Sequence, residues 1–226
     1  MTAIKLRSLG KCFLEPGGTR RNLFVDADFT VAPGDQSVAI LGRSGSGKST
    51  FLNIMAGLDL KYSGEYLYEG QRLARNELTM SRFRRDLVGI VTQRYDLLPE
   101  RTALQNVELG FNGSRQAARA AAVEALERTG IGALRGKPVR LLSGGEAQRV
   151  SIARAIVKKP LIILADEPTG ALDEGAESDI LDLFADLQEE GATLIIATHS
   201  ERVASVCTKR VMISQCRFEN VPTRGR

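Results

Sequence analysis

Nine consecutive residues, Gly42-Arg43-Ser44-Gly45-Ser46-Gly47-Lys48-Ser49-Thr50, carry the clearest chemistry in the chain. Backbone N–H groups converge on phosphate oxygens only where side chains do not intrude, and Gly42, Gly45 and Gly47 supply that freedom. A helix opening near Lys48 adds the partial positive charge of its N-terminus, and the Lys48 ammonium adds a full charge for the terminal phosphates. The Ser49 hydroxyl is placed to ligate magnesium. A glycine turn without a ligand would need neither the lysine nor the hydroxyl.

Two carboxylates follow at Asp166 and Glu167, where the apolar run Leu161–Ala165 ends. Asp166 is placed to reach a magnesium ion, and Glu167 beside it is placed to act as general base on an attacking water. The plainer reading of Glu167 is a helix-capping charge near Pro168. His199 is the only histidine and follows another apolar run, Leu194–Ala197. In an open parallel sheet that position faces the crevice where ligands bind, so a neutral imidazole there can bond a terminal phosphate. Leu142-Ser143-Gly144-Gly145-Glu146 forms a second candidate anion site: a serine cap and a glycine-opened helix N-terminus. Two such sites in one chain make sense if two copies meet head to tail, each nucleotide lying between one chain's Lys48 loop and the other's Ser143, Gly144 and Gly145.

The elements that must hold these residues are readable as periodicity. Strands are expected at Ile4–Arg7, Leu23–Val31 and Ser37–Leu41, with a hairpin loop at Glu15–Thr19 and a turn at Pro33-Gly34-Asp35. Phe51, Leu52, Ile54, Met55 and Leu58 fit a helix after the glycine loop, and Leu87–Thr92 a further strand ending at Gln93. From Thr102 the pattern is helical: Ser114 caps an alanine-rich helix running to Thr129, and Ser143 caps another before Pro160. Strands then return at Leu161–Ala165 and Thr193–Ala197, flanking a helix through Ile180 and Leu187. Alternation of this kind predicts a mainly parallel sheet, with helices inserted in the middle third. Beyond Cys216 the signals weaken and the chain is expected to fray.

Composition narrows the classes. Among 226 residues, 43% are hydrophobic and 26% charged, ordinary values for a chain with a packed core. No apolar run approaches the roughly 20 residues of a membrane-spanning helix. The start lacks a charged region followed by an apolar stretch, so a cytoplasmic location is expected. Cys12, Cys207 and Cys216 show no paired spacing and read as reduced thiols. The net charge of +4 comes from scattered basic residues, densest at Arg82, Arg84 and Arg85, which reads as a solvated face and not a nucleic-acid groove.

These motifs, in this order, resemble the nucleotide-binding subunits of ATP-binding-cassette transporters over nearly the whole chain. The resemblance implies an α/β fold of the P-loop NTPase (RecA-like) class: a mainly parallel sheet core, N-terminal antiparallel β strands and an inserted helical subdomain. It implies one domain over 1–226, with a core lobe of about 1–93 and 160–226 and a helical lobe of about 94–159. Gly42–Thr50 looks like the Walker A motif, Leu142–Glu146 the signature motif, Leu161–Asp166 the Walker B strand, Glu167 the catalytic base and His199 the switch histidine. By the same resemblance Gln93 is the Q-loop glutamine, joining Ser49 and Asp166 around magnesium, and Asp173 belongs to the D-loop, facing the partner's nucleotide. Phe13 takes the place of the aromatic that stacks on adenine, often tyrosine in this family, so stacking is kept without the hydroxyl. Thr92 precedes Gln93 where phenylalanine is common, and Glu146 and Ala147 stand where relatives often carry glutamines.

Asp166-Glu167-Pro168-Thr169-Gly170-Ala171-Leu172-Asp173 and Val107-Glu108-Leu109 most resemble the branch serving lipoprotein release, macrolide export and antimicrobial-peptide handling. The implied partners are ATP, Mg2+, a second copy in an ATP-dependent homodimer, and integral membrane permease subunits, at the cytoplasmic face of the membrane. A chromosome-maintenance ATPase would need a long coiled coil, and no sustained heptad is present. A translation factor of the superfamily would carry two cassettes in one chain. An ATPase scaffold that signals across the membrane to a division or cell-wall complex is the alternative function.

Overall fold

The opening strand, β1 (Ile4–Leu14), buries Ile4, Leu6 and Leu9 in near alternation with exposed polar residues. It pairs antiparallel with β2 (Arg20–Val31) and β4 (Ser63–Tyr68), and β5 (Gln71–Arg72) completes a sheet of order β2-β1-β4-β5. The register of β1 against β2 shifts between Leu6 and Leu9, again before Lys11 and again before Cys12. Such bulges re-aim the side chains beyond them. Their result here is that Lys11 is buried while Phe13 is exposed.

The computed structural model describes residues 3–14 and 17–222, which divide into two compact units, Met1–Arg84 with Ile195–Arg226, and Arg85–Leu194. Of the expected hairpin loop, Glu15 and Pro16 lie outside the described residues. In the first unit, β3 (Ser37–Leu41) is buried at every position, as a strand covered on both faces must be. It runs parallel to β9 (Lys209–Ser214), and β10 (Arg217–Val221) turns back antiparallel on β9. On its other edge β3 is followed by β8 (Thr193–Ala197), and just past β8 the Thr198 N–H donates to the Ile40 carbonyl at 3.1 Å. Helix α1 (Lys48–Met55) buries Phe51, Leu52, Ile54 and Met55.

Residues 223–226 lie outside the described residues, and over Arg217–Val221 the expected fraying beyond Cys216 is corrected by β10. Its Phe218 ring lies 5.3 Å from Phe24, 5.3 Å from Phe29 and 4.7 Å from Phe51. Aromatic pairs of this kind add about 0.5–1.5 kcal/mol each beyond their area. They join strands from both ends of the chain to the helix behind the glycine loop, which no local pattern announces. Helix α2 (Glu77–Leu87) is likewise unannounced by sequence: Phe83 packs edge-on against Tyr66 and Tyr68 at 5.8 and 5.3 Å. Leu87 therefore ends a helix instead of opening a strand.

In the second unit, β6 (Val88–Val91) pairs parallel with β7 (Ile162–Asp166). Between them the chain forms α3 (Ala103–Glu108), α4 (Arg115–Arg128) and α5 (Gly144–Ile156), and after β7 comes α6 (Glu174–Glu189). Thr102, Ser114, Ser143 and Asp173 cap these helices with side-chain oxygens accepting backbone N–H groups. Gly89 in β6 is required by packing, because a Cβ there would stand 2.5 Å from the Ala155 carbonyl oxygen of α5. The chain returns to the first unit through β8 and then α7 (Glu201–Val206).

Candidate nucleotide site

The glycine loop connects β3 to α1, so the buried strand sets its start and the helix its end. Gly47 is the N-cap of α1 at φ 104°, and it makes no side-chain cap hydrogen bond. That conformation suits glycine alone, and a Cβ at Gly47 would also press on the Phe24 ring at 3.2 Å. The first N–H groups of α1 are thus left without a side-chain acceptor, as an anion-binding helix end requires. Ser46 Oγ is buried with no hydrogen-bond partner among the described residues. Lys48 Nζ donates to the Gly42 carbonyl at 2.8 Å and the Arg43 carbonyl at 3.5 Å, resting on partial negative charges of the loop itself. Ser49 and Thr50 lie in the first turn of α1, with Ser49 exposed.

Gly42, Arg43, Ser44, Gly45 and Ser46 line an open cavity of about 820 Å³ together with Thr198, His199 and Ser214. The structure therefore brings His199 to the glycine loop, and does so because β8 lies next to β3. Arg21 also lines this cavity, and its guanidinium donates to the Gly45 carbonyl at 3.0 Å. The N–H of the same peptide unit, Ser46, donates to the Arg43 carbonyl at 3.1 Å, so this plane is held at both ends. Phe13 is the β1 partner of Arg21 across the strand pair and is 43% exposed, leaving ring surface open to a planar ligand.

The second unit presents its own set. Asp166 ends β7 half-buried, and Glu167 follows at φ 48°, a left-handed conformation costing roughly 1–3 kcal/mol in a residue with a Cβ. The Glu167 carbonyl accepts the Gly170 N–H at 3.2 Å, which closes the turn after the carboxylate. Asp173 caps α6, its Oδ1 accepting the Ala176 N–H at 2.8 Å. Gly144 and Gly145 open α5 beside Ala171 and Leu172, so signature and D-loop residues are neighbours. Gln93 is exposed in the turn after β6, and the Tyr95 hydroxyl approaches the Gly144 position.

The helix end at Ser143 is built differently from the expectation of an open anion site. Ser143 Oγ accepts the Glu146 N–H at 3.2 Å, while the Glu146 carboxylate accepts the Ser143 N–H at 2.7 Å. This reciprocal box already satisfies two donors. The Ser143 N–H is the main cause holding the Glu146 carboxyl below the usual glutamate range; burial opposes it and the Lys137 ammonium adds to it.

Sequence reasoning missed the residues that shape the segment after Gln93. Asn106 is fully buried; its side chain accepts the Leu98 N–H at 2.7 Å and donates to the Leu98 and Thr102 carbonyls at 3.0 Å each. Arg154 of α5 donates to the Asp96 carbonyl at 2.5 Å and the Tyr95 carbonyl at 2.7 Å, where both residues have positive φ. Arg21 was missed as well. Only a buried polar residue on an otherwise apolar helix face, such as Asn106, offers a faint signal in advance.

A glycine-loop cradle on a mainly parallel sheet, with inserted helices and an antiparallel N-terminal sheet, defines an ABC-type ATPase fold of the P-loop NTPase class. The ABC transporter family model matches residues 24–170, and the chain belongs to that family. It is 43% identical over 219 residues to the macrolide export ATP-binding/permease protein MacB 1/2 of Paracoccus denitrificans, covering 95% of this chain and 32% of that protein. It is 40% identical over 219 residues to the pyoverdine export ATP-binding/permease protein PvdT of Pseudomonas syringae pv. tomato, covering 93% and 33%. The chain thus spans about a third of the length of these curated relatives.

Among solved structures, the dimeric ABC transporter cassette MJ0796 superposes with a TM-score of 0.90 at 34% identity, covering 99% of this chain and 100% of that one. A post-hydrolysis dimer of MJ0796 bound to ADP and Pi gives 0.89 at 32% identity, with the same coverage. These likenesses support ATP and ADP as the nucleotides of the family site.

Proposed function

We propose that this chain binds and hydrolyses Mg-ATP as the energy-converting cassette of an exporter. The single observation carrying this reading is the α1 N-terminus: no side-chain cap, an orphaned buried Ser46 Oγ, and a Lys48 ammonium parked on loop carbonyls. The cradle fits a polyphosphate. Gly42–Thr50 would wrap the phosphates, Phe13 would stack on adenine, and His199 would bond the terminal phosphate. Ser49, Asp166 and Gln93 would hold Mg2+, which when bound neutralises charge on the phosphate oxygens. Glu167 takes a proton from the attacking water as its oxygen bonds to the terminal phosphorus, and the bond to the ADP oxygen breaks.

Two copies would close head to tail, so that Ser143, Gly144, Gly145 and Asp173 of each face the nucleotide held by the other. Each chain would act as one ABC ATPase domain over 1–226, with a core lobe of about 1–93 and 160–226 and a helical lobe of about 94–159. Among the described residues no helix is long and apolar enough to cross a membrane, so transport requires integral membrane permease segments. The substrate is read as a drug-like molecule, peptide or lipoprotein handled from the cytoplasmic face, and the relatives named for macrolide and pyoverdine export support the export reading.

The test is light scattering of Glu167→Gln protein with and without Mg-ATP. A nucleotide-dependent monomer-to-dimer shift is expected, and equal dimerisation in both conditions overturns the scheme. Capture of the same variant from detergent-solubilised membranes is expected to recover a polytopic membrane protein; recovery of only ribosome- or DNA-associated proteins refutes the transport reading.

A further inference from the structure

Lys11 has a place in the fold that its sequence position does not suggest. It follows two register shifts of β1, and its side chain is only 4% exposed although it is an ammonium. A buried cation must be paired, and Lys11 Nζ lies 2.6 Å from Asp59 Oδ2 and donates to the Lys61 carbonyl at 2.8 Å. The same Nζ stands 4.9 Å from the centroid of the Phe13 ring, within the range of a cation–π contact. One part of the exposed aromatic is therefore backed by a charge that cannot move away without leaving Asp59.

Asp59 is in turn tied to the helix of the glycine loop. Its second oxygen, Oδ1, accepts the Lys61 N–H at 2.9 Å, and the Leu58 and Asp59 N–H groups bond to the Asn53 carbonyl of α1 at 2.8 and 3.1 Å. Phe13, Lys11, Asp59 and α1 form one continuous polar and packed route within the first unit. One end of that route is the candidate base platform, and the other is the helix whose N-terminus cradles phosphate.

We infer that Lys11 is a positioning residue for the nucleotide base: through its contact with the Phe13 ring and its ion pair to Asp59, it restricts the placement of that ring relative to α1. Lys11 does not touch the nucleotide. It acts by restricting Phe13, so its contribution belongs to the base-dependent part of the affinity and vanishes for a ligand that has no base. The inference rests on the reading of Phe13 as the adenine platform.

The experiment compares binding of ATP and of inorganic tripolyphosphate to the full chain by calorimetry, in Phe13→Ala, Lys11→Met, Lys11→Arg and Asp59→Asn variants, with Tm recorded for each. Lys11→Met is expected to weaken ATP binding about threefold to tenfold, with tripolyphosphate affinity kept within about twofold. Lys11→Arg, which retains the cation and its donors, is expected to restore most of the loss. Asp59→Asn keeps the bulk while releasing the ammonium, and is expected to reproduce the loss if Lys11→Met does not fold. In the Phe13→Ala background, Lys11→Met is expected to add nothing. Equal losses for ATP and tripolyphosphate, or no loss for either, overturn the role of Lys11. An unchanged ATP-to-tripolyphosphate ratio in Phe13→Ala overturns the platform itself, whereas a changed ratio there with none in Lys11→Met overturns Lys11 alone.

Discussion

Two helices in this chain begin with glycine-rich serine motifs, and their N-termini are finished in opposite ways. At α1 the cap is Gly47 in a left-handed conformation with no side-chain acceptor, and Lys48 waits on loop carbonyls. At α5 the cap is Ser143, whose hydroxyl and whose partner Glu146 close a reciprocal box, with the Lys137 ammonium 3.6 Å from the Glu146 carboxylate. The first end is incomplete without a ligand. At the second, Ser143 and Glu146 satisfy two N–H groups within the chain, so an anion arriving there meets a carboxylate that the helix already holds. Sequence motifs that look alike thus encode two differently built helix ends, one without a side-chain cap and one closed by a reciprocal box.

The largest effect is expected at the proposed general base. Glu167→Gln should lower steady-state phosphate release by about 10²–10⁴-fold while ATP affinity is retained, because only the base is lost. Lys48→Ala comes next: removing a charge-assisted contact should weaken ATP binding roughly 10- to 100-fold in equilibrium titration. An unchanged affinity would mean that the α1 end is not the primary cradle.

The glycines sharpen the contrast further. Gly47→Ala forces a Cβ into positive φ and against Phe24, and should cost about 1–3 kcal/mol in denaturant unfolding as well as nucleotide affinity. Gly144→Ala meets no atom closer than 3.5 Å and should stabilise the fold by up to about 1 kcal/mol, while weakening the ATP-dependent dimer. If both substitutions destabilise equally, the two ends are not built differently.

Ser143→Ala should cost about 1 kcal/mol through loss of the cap. The smallest effect concerns pH. The Glu146 carboxyl is held below its ordinary value in the folded chain, chiefly by the Ser143 N–H. Its contribution is therefore fully present above the ordinary glutamate value of about 4.3 and is lost as pH falls through the lower folded value. Glu146→Gln should flatten that acid-side loss in urea unfolding measured from neutral pH downward, with little change near neutrality.

Much of the fold could be read in advance where the signal is local. Ser114 and Ser143 as caps, the strand before the glycine loop and the buried run ending at Asp166 all follow from spacing within a few residues. Phe218, α2 and the two short strands after α1 could not, since each is stabilised by partners far along the chain. The same division runs through the candidate site. Lys48 and Glu167 stand out by type and context, whereas Lys11, Arg21, Asn106 and Arg154 are ordinary in sequence and distinctive only by what they meet.

By itself, then, the sequence determined the class of ligand and the order of the motifs, because a phosphate cradle needs consecutive backbone donors and consecutive residues carry them. Only the tertiary structure decided that Arg21 pins a loop peptide from another strand and that Glu146 closes a box at the second helix end. These depend on strand order, bulged register and side-chain competition for the same donors. They are settled only when distant segments meet, since hydrogen bonds and ion pairs act over a few ångströms in space whatever their separation along the chain.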